Sequence, residues 1–328
     1  MTLCMPTWRM WVVVAAALTT ALASHAEEAD PVVRAIRDTS TDNTRLSACV
    51  QLARTNARAN SIPAEMKKKA VEQVSARLKQ NDPVMLRARA DAARKGMYGF
   101  PKDETLALRL YERTKAPEAG LNAALMLYRS RAGAGIDPAT AKRILHVLQY
   151  TGASAHNSRG SVGAQAHYIA GTLQESGAAG AADPAKAFTH YRASARNAYI
   201  PGAYHYLRLL SQSIPKLPES ERAVVLQEMR MMTNRWRWQS AEIMLLTGDM
   251  YAAGWIPDDE GFLAQQHWRM ALRMGSSREI PAIEEVLKKR IKRLSPEKEK
   301  RLDDAVEAGL RNVVRASHEL EFEDLCAE

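Results

Sequence analysis

The sequence predicts an all-α fold, an α-solenoid in which antiparallel helix pairs stack side by side. A degenerate repeat is the first observation behind this prediction. In each of its two clearest copies an acidic residue is followed four positions later by Ala and eight positions later by an aromatic residue. The clearest copies are Asp103, Ala107, Tyr111 and Asp183, Ala187, Tyr191. Composition is the second observation, because only 6% of the 328 residues are aromatic and no long Val/Ile alternation suggests a sheet.

Two weaker copies extend the repeat and set its period. They are Asp137, Ala141, Leu145 and Glu260, Ala264, Trp268. Successive marker alanines are separated by 34, 46 and 77 residues. The first interval is one period, the second contains a Gly/Ser/Asn insertion at 151–163, and the third is about two periods. A divergent copy is therefore expected between Gly202 and Trp238, which gives about five repeats over 82–275.

Each unit is predicted to hold two helices. The first half is rich in Ala, has apolar residues at helical spacing and ends in a Gly-containing turn. Asp or Asp-Pro then starts the second helix, since the carboxylate accepts backbone N–H groups and Pro fits the first helical position. Small Ala and Gly residues let the two helices approach closely. One pair cannot bury its own apolar face, so neighbouring pairs must stack.

The residue order of the best copies, 163–202 and 240–275, resembles the Sel-one-like repeat (SLR) family, a variant of the tetratricopeptide class. That order is Ala-x-x-Leu-Gly, Tyr, a Gly-rich turn, Asp, Lys-Ala and an aromatic pair before Ala and Gly. The first aromatic of the pair is replaced here by Leu110, Ile144, His190 and His267. The resemblance implies a right-handed α-solenoid in which the marker Ala and aromatic positions pack the repeats. Segments 27–81 and 276–328 are expected to be helical caps.

Residues 1–26 are interpreted as a secretory leader. The uncharged stretch Trp11–Ser24 follows a basic residue and precedes acidic ones, which is typical of cleavage after Ala26. Cleavage after Ala23 is a second candidate. An uncleaved anchor is the alternative interpretation, although the apolar stretch is shorter than the usual span of about 20 residues. We expect a periplasmic protein with no transmembrane span after leader cleavage.

Removal of the leader leaves two cysteines, Cys49 and Cys326. An even number in an exported chain allows a disulfide. This disulfide requires the C-terminal tail to fold back or the solenoid to curve strongly, because the ends of a stack lie apart. Free or intermolecular thiols are the alternative. Tail residues Glu319–Glu328 could pack back, dangle or pair with a second copy, so the oligomeric state stays open.

The formal net charge of the whole chain is +9. A nucleic-acid partner is not expected, because the chain is predicted to be exported and lacks zinc-finger, RNP and helix-turn-helix signatures. The basic runs 67–69 and 288–293 are interpreted as solvated helix faces. The alternative is electrostatic contact with an acidic polysaccharide, anionic lipid heads or an acidic protein.

An aromatic and basic stretch suggests a partner-binding groove. Arg235, Trp236, Arg237 and Trp255 could face the concave surface, where an aromatic plate beside guanidinium groups would hold a peptide or a sugar. Core packing between the fourth and fifth units is the alternative for the stretch. We assign that packing role to Trp238 and Trp268.

The sequence gives little support for catalysis. Ser295 and Lys298 match a Ser-x-x-Lys spacing, but the companion motifs are missing and a helix N-cap followed by Pro is favoured. The eight histidines show no metal-ligand spacing, and we expect His190 and His267 to be packed imidazoles. No glycine cluster follows a strand to form a phosphate loop. We therefore expect that the protein is not an enzyme and that it has neither a metal site nor a cofactor.

A binding scaffold is the function that remains. The first helices of stacked pairs form a long concave surface that can hold another chain. The resemblance implies an adaptor in the bacterial cell envelope, of the kind found in exopolysaccharide and envelope assemblies, with another envelope protein or peptide segment as partner. A periplasmic regulator that binds a sensor kinase or other receptor is the second hypothesis. A hydrolase of the kind claimed for cysteine-rich relatives is the third, and the low cysteine content weakens it.

Overall fold

A computed structural model describes residues 43–56, 62–130, 135–154, 161–258, 260–275, 280–291, 294–313 and 320–326. All regular secondary structure in these segments is helical, which confirms the predicted all-α class. The chain divides into two compact units, Met1–Thr114 with Asp324–Glu328, and Lys115–Glu323. The predicted leader, 1–26, lies outside the described residues. Among the helices that are described, none combines the length and apolarity needed to cross a membrane.

In its described residues, the first unit contains two helix pairs. Its helices are α1 (Asn43–Thr55), α2 (Ala64–Lys79), α3 (Pro83–Lys95) and α4 (Glu104–Thr114). Helix α1 packs against α2 and also against α3, and α3 pairs with α4. Leu52, Val74 and Met85 bury their side chains in the core that these helices share. The pair α1 and α2 lies within the segment predicted to be the N-terminal cap.

The second unit continues the pairs in chain order. Its helices are α5 (Pro117–Arg129), α6 (Pro138–Ser154), α7 (Ser161–Ser176), α8 (Pro184–Arg196), α9 (Ile200–Ser213), α10 (Glu219–Trp236), α11 (Ala241–Ala252), α12 (Phe262–Met274), α13 (Ile280–Leu287) and α14 (Pro296–Leu310). Short 3-10 turns follow α9 and α10. The pairs are α5/α6, α7/α8, α9/α10 and α11/α12.

The pairs of the second unit stack as a solenoid requires. The first helices contact one another in sequence, α5 with α7, α7 with α9, and α9 with α11. The divergent copy expected between Gly202 and Trp238 corresponds to the pair α9/α10, which forms despite its weak repeat pattern. Helix α14 then packs on α12, where Leu302 and Val306 meet Met270 and Ala271.

Asp-Pro caps start two of the helices: the sequence predicted such a start for the second helix of a pair, as at α8, and the same cap also starts α3, a first helix. The carboxylate of Asp82 accepts a hydrogen bond from the backbone N–H of Met85 at 3.0 Å, and Pro occupies the first turn of α3. Asp183 does the same for the N–H of Lys186 at 3.0 Å at the start of α8. Each cap satisfies a donor that the helix itself leaves unpaired. These local bonds fix the start of α3, the first helix of its pair, and of α8, the second helix of its pair.

Glycines on the first helices allow the close approach within a pair. A Cβ atom on Gly171 of α7 would lie 2.7 Å from the ring of Tyr191 on α8. A Cβ atom on Gly248 of α11 would lie 2.4 Å from the ring of Trp268 on α12. Carbon atoms in contact are normally at least about 3.5 Å apart, so only glycine fits beneath these two marker aromatics. The same pairing therefore recurs in two copies of the repeat.

The marker positions of the repeat are buried, with one exception. The side chains that are at most 7% exposed are Ala107, Tyr111, Ala141, Ala187, Tyr191, Ala264 and Trp268. Leu145 is only half-buried, which differs from its assignment as a packing residue. Ile144, directly before it, is fully buried together with Leu148 one turn later. In this copy the core stripe of α6 therefore runs through Ile144, and Leu145 lies at its edge.

Candidate functional site

Within the second unit, residues 320–323 of the C-terminal tail lie against the first helices α5 and α7. Asn122 of α5 pairs with the backbone of Glu323 twice. Its Oδ1 accepts from the N–H at 3.1 Å, and its Nδ2 donates to the carbonyl oxygen at 2.9 Å. Gln165 of α7 accepts from the N–H of Glu321 through Oε1 at 2.9 Å. The two amides are therefore bound to alternate residues of the tail backbone.

Both amide side chains are held in place by burial. Asn122 is 0% exposed and Gln165 is 4% exposed. A buried amide without partners costs roughly 1–3 kcal/mol, so each of these side chains requires a polar partner at this position. The tail backbone supplies that partner. Recognition of main-chain groups places few demands on the side chains of the bound segment, which is how strand-like peptides are commonly held.

Arg129, at the exposed end of α5, makes the third contact with this segment. Its guanidinium donates to the carbonyl oxygen of Leu320 and lies over the ring of Phe322, 4.5 Å from the ring centroid. A guanidinium at this distance is attracted by the ring face. We refer to Asn122, Gln165 and Arg129 together as the tail-binding surface of the second unit.

In the first unit, residues 324–326 complete the tail. The N–H of Leu325 donates to Oδ2 of Asp91 on α3 at 2.6 Å. The Asp324 carboxylate pairs with Arg94 and with Lys95, whose Nζ lies 2.8 Å away. The structure joins Cys326 to Cys49 of α1 in a disulfide with a Cα–Cα distance of 5.9 Å. The structure therefore contains the intramolecular bridge, which was one of the alternatives that the sequence left open.

Asp91 is the most strongly perturbed carboxylate of the first unit. It is 0% exposed, and burial raises its pKa to about 6, although a hydrogen bond from the Tyr111 hydroxyl and the charge of Arg87 act in the opposite direction. Burial and the neighbouring Asp91 together raise the pKa of Tyr111. The hydroxyl therefore stays protonated and donates to Asp91, while it accepts from Nε of Arg94 at 3.2 Å.

Aromatic and polar side chains from α7, α8 and α9 form a cluster in the second unit. The ring of Tyr168 lies 5.4 Å from that of Tyr199 and 5.6 Å from that of His205. Glu175 accepts hydrogen bonds from the Tyr191 hydroxyl at 2.9 Å and from Arg208. Burial alone would raise the pKa of Glu175, but these hydrogen bonds lower it below its usual value. The cluster is thus a set of satisfied polar contacts that fixes α9 on α7.

The predicted groove of Arg235, Trp236, Arg237 and Trp255 is not brought together as an exposed plate. Trp236 is 6% exposed and belongs to the core with Tyr206 and Met229, because the last turn of α10 turns it inwards. Arg235 is exposed and stacks on the ring of Trp236, while Arg237 lies over Trp238, 5.0 Å from its ring centroid. Trp255 is half-buried against the same core. The assignment of Trp236 to a binding plate was therefore wrong.

The remaining candidates have structural roles. Ser295 caps α14, since its hydroxyl accepts from the backbone N–H of Lys298 at 3.5 Å. His267 is 6% exposed, and its Nδ1 lies 2.8 Å from the carbonyl oxygen of Leu263, as a packed imidazole requires. His190 is half-buried, and its Nδ1 lies 3.1 Å from Nδ1 of His167. Within the described segments, no three His, Cys, Asp or Glu side chains form a group that could hold a metal.

Sequence reasoning missed the residues that hold the tail. Asp91, Asn122, Gln165 and Arg129 belong to no part of the repeat pattern. A signal was present for Asn122 and Gln165, which are polar residues among small and apolar ones in AGLNAAL and VGAQA, whereas Asp91 lies among arginines in RARADAAR. An isolated polar residue on the buried side of an Ala-rich helix requires a partner. The pattern does not name that partner, which lies 156 to 234 residues away in the chain.

Comparisons with known proteins give matches among solved structures alone. No protein-family model matches the sequence, and no curated protein matches it. A Sel1 repeat protein from Oxalobacter formigenes has a TM-score of 0.48 and 17% identity, over 73% of this chain and 93% of that one. A protective antigen of uropathogenic Escherichia coli strains displaying an SLR fold has a TM-score of 0.41 and 13% identity, over 87% of this chain and 66% of that one. Both carry the name of the repeat that 163–202 and 240–275 resemble.

The helices and contacts described above define a class of protein by themselves. The second unit is a helical-repeat structure whose first helices hold an extended piece of polypeptide through buried amides. Its described helices are arranged by the same pairing of small residues and aromatics that carries the sequence resemblance to SLR proteins.

Proposed function

We propose that this protein is a non-enzymatic protein–protein interaction scaffold that binds an extended segment of a partner on the first helices of its repeats. One observation carries the proposal: Asn122 and Gln165 bind alternate backbone groups of residues 321 and 323. A surface that binds main-chain groups suits a polypeptide better than a small substrate, because its donors and acceptors match the repeat of an extended chain.

The proposed place of action is the bacterial cell envelope, where the protein would act as an adaptor. The leader pattern of residues 1–26 and the disulfide between Cys49 and Cys326 support this proposal. Disulfides persist in oxidising compartments such as the periplasm and are rare in reducing ones. A bridge that joins two widely separated parts of the chain is therefore consistent with export.

Site-specific photo-crosslinking in living cells tests the proposal. A photo-crosslinking residue replaces Met126 of α5, which helical spacing places on the same face as Asn122 and Arg129, and a second variant carries it at Val224, which is 67% exposed on α10. We expect the residue at position 126, and not the one at 224, to crosslink an envelope protein through one extended segment identified by mass spectrometry. Equal crosslinking from both positions, or none from position 126, would contradict the scaffold function.

A periplasmic regulator is the second candidate function. It is favoured by the fact that the tail-binding surface already holds residues of the same chain, so that partner binding is in competition with an internal segment. Crosslinking from position 126 to the periplasmic domain of a receptor, in place of an assembly component, would select this candidate over the adaptor.

A further inference from the structure

The C-terminal tail occupies the surface that the partner is proposed to bind, so its sequence indicates the chemistry of the partner. We propose that the partner segment is an acidic, extended peptide with an aromatic residue, and that it competes with this protein's own residues 320–323 for the tail-binding surface. The proposal rests on the scaffold function and names the class of segment that the scaffold binds.

The backbone contacts set the first requirement on such a segment. Glu321 and Glu323 each offer an N–H to a buried amide, of Gln165 and Asn122 respectively. An incoming segment must present the same two groups, because a buried amide left without a polar partner destabilises the complex. Proline or an N-methylated residue at either position cannot supply the donor. The segment must therefore be extended, with free N–H groups two residues apart.

Arg129 sets the second requirement. Its guanidinium lies over the ring of Phe322, between the two residues whose N–H groups are bound, and also donates to the carbonyl oxygen of Leu320. The Phe322 ring is half-buried. A flat aromatic side chain at this position gains the cation–π attraction, and an aliphatic side chain does not. The segment must therefore carry an aromatic residue between its two anchored positions.

Charge sets the third requirement. The final ten residues, 319–328, contain five acidic side chains and no Lys or Arg, whereas the whole chain has a net charge of +9. The segment that the protein selects from its own sequence is thus opposite in charge to the rest of the molecule. Arg129 is the basic group nearest this segment in the tail-binding surface. Complementary charge of this kind favours encounter with acidic segments and disfavours basic ones.

Competition follows from how the tail is attached. Glu323 is held by Asn122, and Cys326, three residues further along, is fixed by its disulfide to Cys49. A tethered segment acts at an effective concentration that reaches the millimolar range for short connections. A partner from another molecule must therefore bind more strongly than this internal competitor. Opening the disulfide weakens binding of the tail without changing the tail-binding surface.

Binding of a labelled peptide measures these requirements directly. The probe is the fluorescein-labelled peptide Glu-Leu-Glu-Phe-Glu-Asp-Leu, the sequence of residues 319–325, and the readout is fluorescence anisotropy with the full chain. We expect the double variant Cys49→Ser, Cys326→Ser to bind it at least about tenfold more tightly than the oxidised protein, because one of the two covalent attachments of the tail is lost. The variant Phe322→Ala keeps the disulfide and is expected to bind more tightly than the unmodified protein by the same logic.

Peptide analogues separate the three requirements without altering the protein. Analogues with Ala for Phe, with amides for all acidic side chains, or with N-methyl groups at the two anchored residues are each expected to bind about tenfold more weakly. Arg129→Gln is expected to weaken the parent peptide, and Arg273→Gln, an exposed arginine at the end of α12, is the matched control. Polygalacturonate, an acidic polymer without a peptide backbone, is expected not to displace the probe.

Several results would overturn the proposal. They are unchanged affinity in both tail variants, equal binding of the amidated analogue, equal effects of the two arginine substitutions, and displacement by polygalacturonate at equal charge concentration. Failure here is distinguishable from failure of the scaffold function. If position 126 still crosslinks an extended envelope segment while the acidic peptide does not bind, the scaffold stands and the partner chemistry assigned here is wrong.

Discussion

Replacement of Asp91 by Asn tests the electrostatics of the tail contact in the first unit. The carboxylate is 0% exposed, and its pKa in the folded protein is about 6, against 3.8 for the ordinary group. The folded state therefore binds a proton between these two pH values, where the unfolded chain has released it. The free energy of unfolding must fall as the pH rises from 3.8 to 6, and the penalty is complete above pH 6.

The magnitude follows from the pKa difference. Each pKa unit corresponds to about 1.4 kcal/mol, so a difference of about two units costs about 3 kcal/mol at pH 7. An amide at position 91 keeps an acceptor for the N–H of Leu325 and a donor for the hydroxyl of Tyr111, but carries no charge. Between pH 4 and pH 7, the free energy of unfolding of Asp91→Asn should therefore rise by about 3 kcal/mol relative to that of the unmodified protein, whatever the difference between the two proteins at pH 4.

Urea unfolding of both proteins at pH 4, 5, 6 and 7 measures this change. The control is Asp304→Asn, which removes an exposed carboxylate on α14. A difference between Asp91→Asn and the unmodified protein that stays constant over this range would refute the reasoning. It would mean that the hydrogen bonds from Leu325 and Tyr111 compensate the burial of the charge.

Three further predictions concern packing, the disulfide and a buried imidazole. Gly248→Ala should lower the free energy of unfolding by about 1–3 kcal/mol, because its Cβ would lie 2.4 Å from the Trp268 ring; urea unfolding that shows stabilisation, as an exposed helical glycine would give, would contradict this. Reduction of the Cys49–Cys326 bridge, which spans 277 residues, should cost about 2–5 kcal/mol in the same assay, and an unchanged midpoint would exclude it. Burial lowers the pKa of His267 to about 4, so its stabilising contribution is lost as the pH falls from 6.5 to 4. Between pH 6.5 and pH 4, the free energy of unfolding of His267→Gln should fall by about 3 kcal/mol less than that of the unmodified protein. An equal fall in the two proteins would count against this prediction.

The helix pairs could be predicted because their determinants are local. Asp82 and Asp183 cap helices within three residues of themselves, and apolar spacing marks each buried stripe. Even the divergent pair α9/α10 was placed from the period alone. Leu145 shows the limit of this reasoning. The repeat frame selects a position, but Ile144 beside it fits the core instead, and a shift of one residue changes the buried side of the helix.

The binding surface could not be predicted to the same extent, because its contacts join distant parts of the chain. Trp236 was proposed as exposed on account of its basic neighbours, yet the turn at the end of α10 buries its ring. The stretch NRWRWQS holds alternating aromatic and basic residues, and its pattern fits either an interior or an exposed face. Only packing against Tyr206 and Met229 decides between them.

Buried polar residues on the first helices are the sequence feature that marks the tail contacts. Asp91, Asn122 and Gln165 interrupt Ala-rich segments at positions where an apolar side chain would pack without cost. Each of them instead binds a backbone N–H of the tail, of Leu325, Glu323 and Glu321 in turn. Burial of three such groups costs several kcal/mol unless each has a polar partner. In this protein the tail backbone supplies a partner to each of the three, so these polar residues mark where the first helices contact an extended chain.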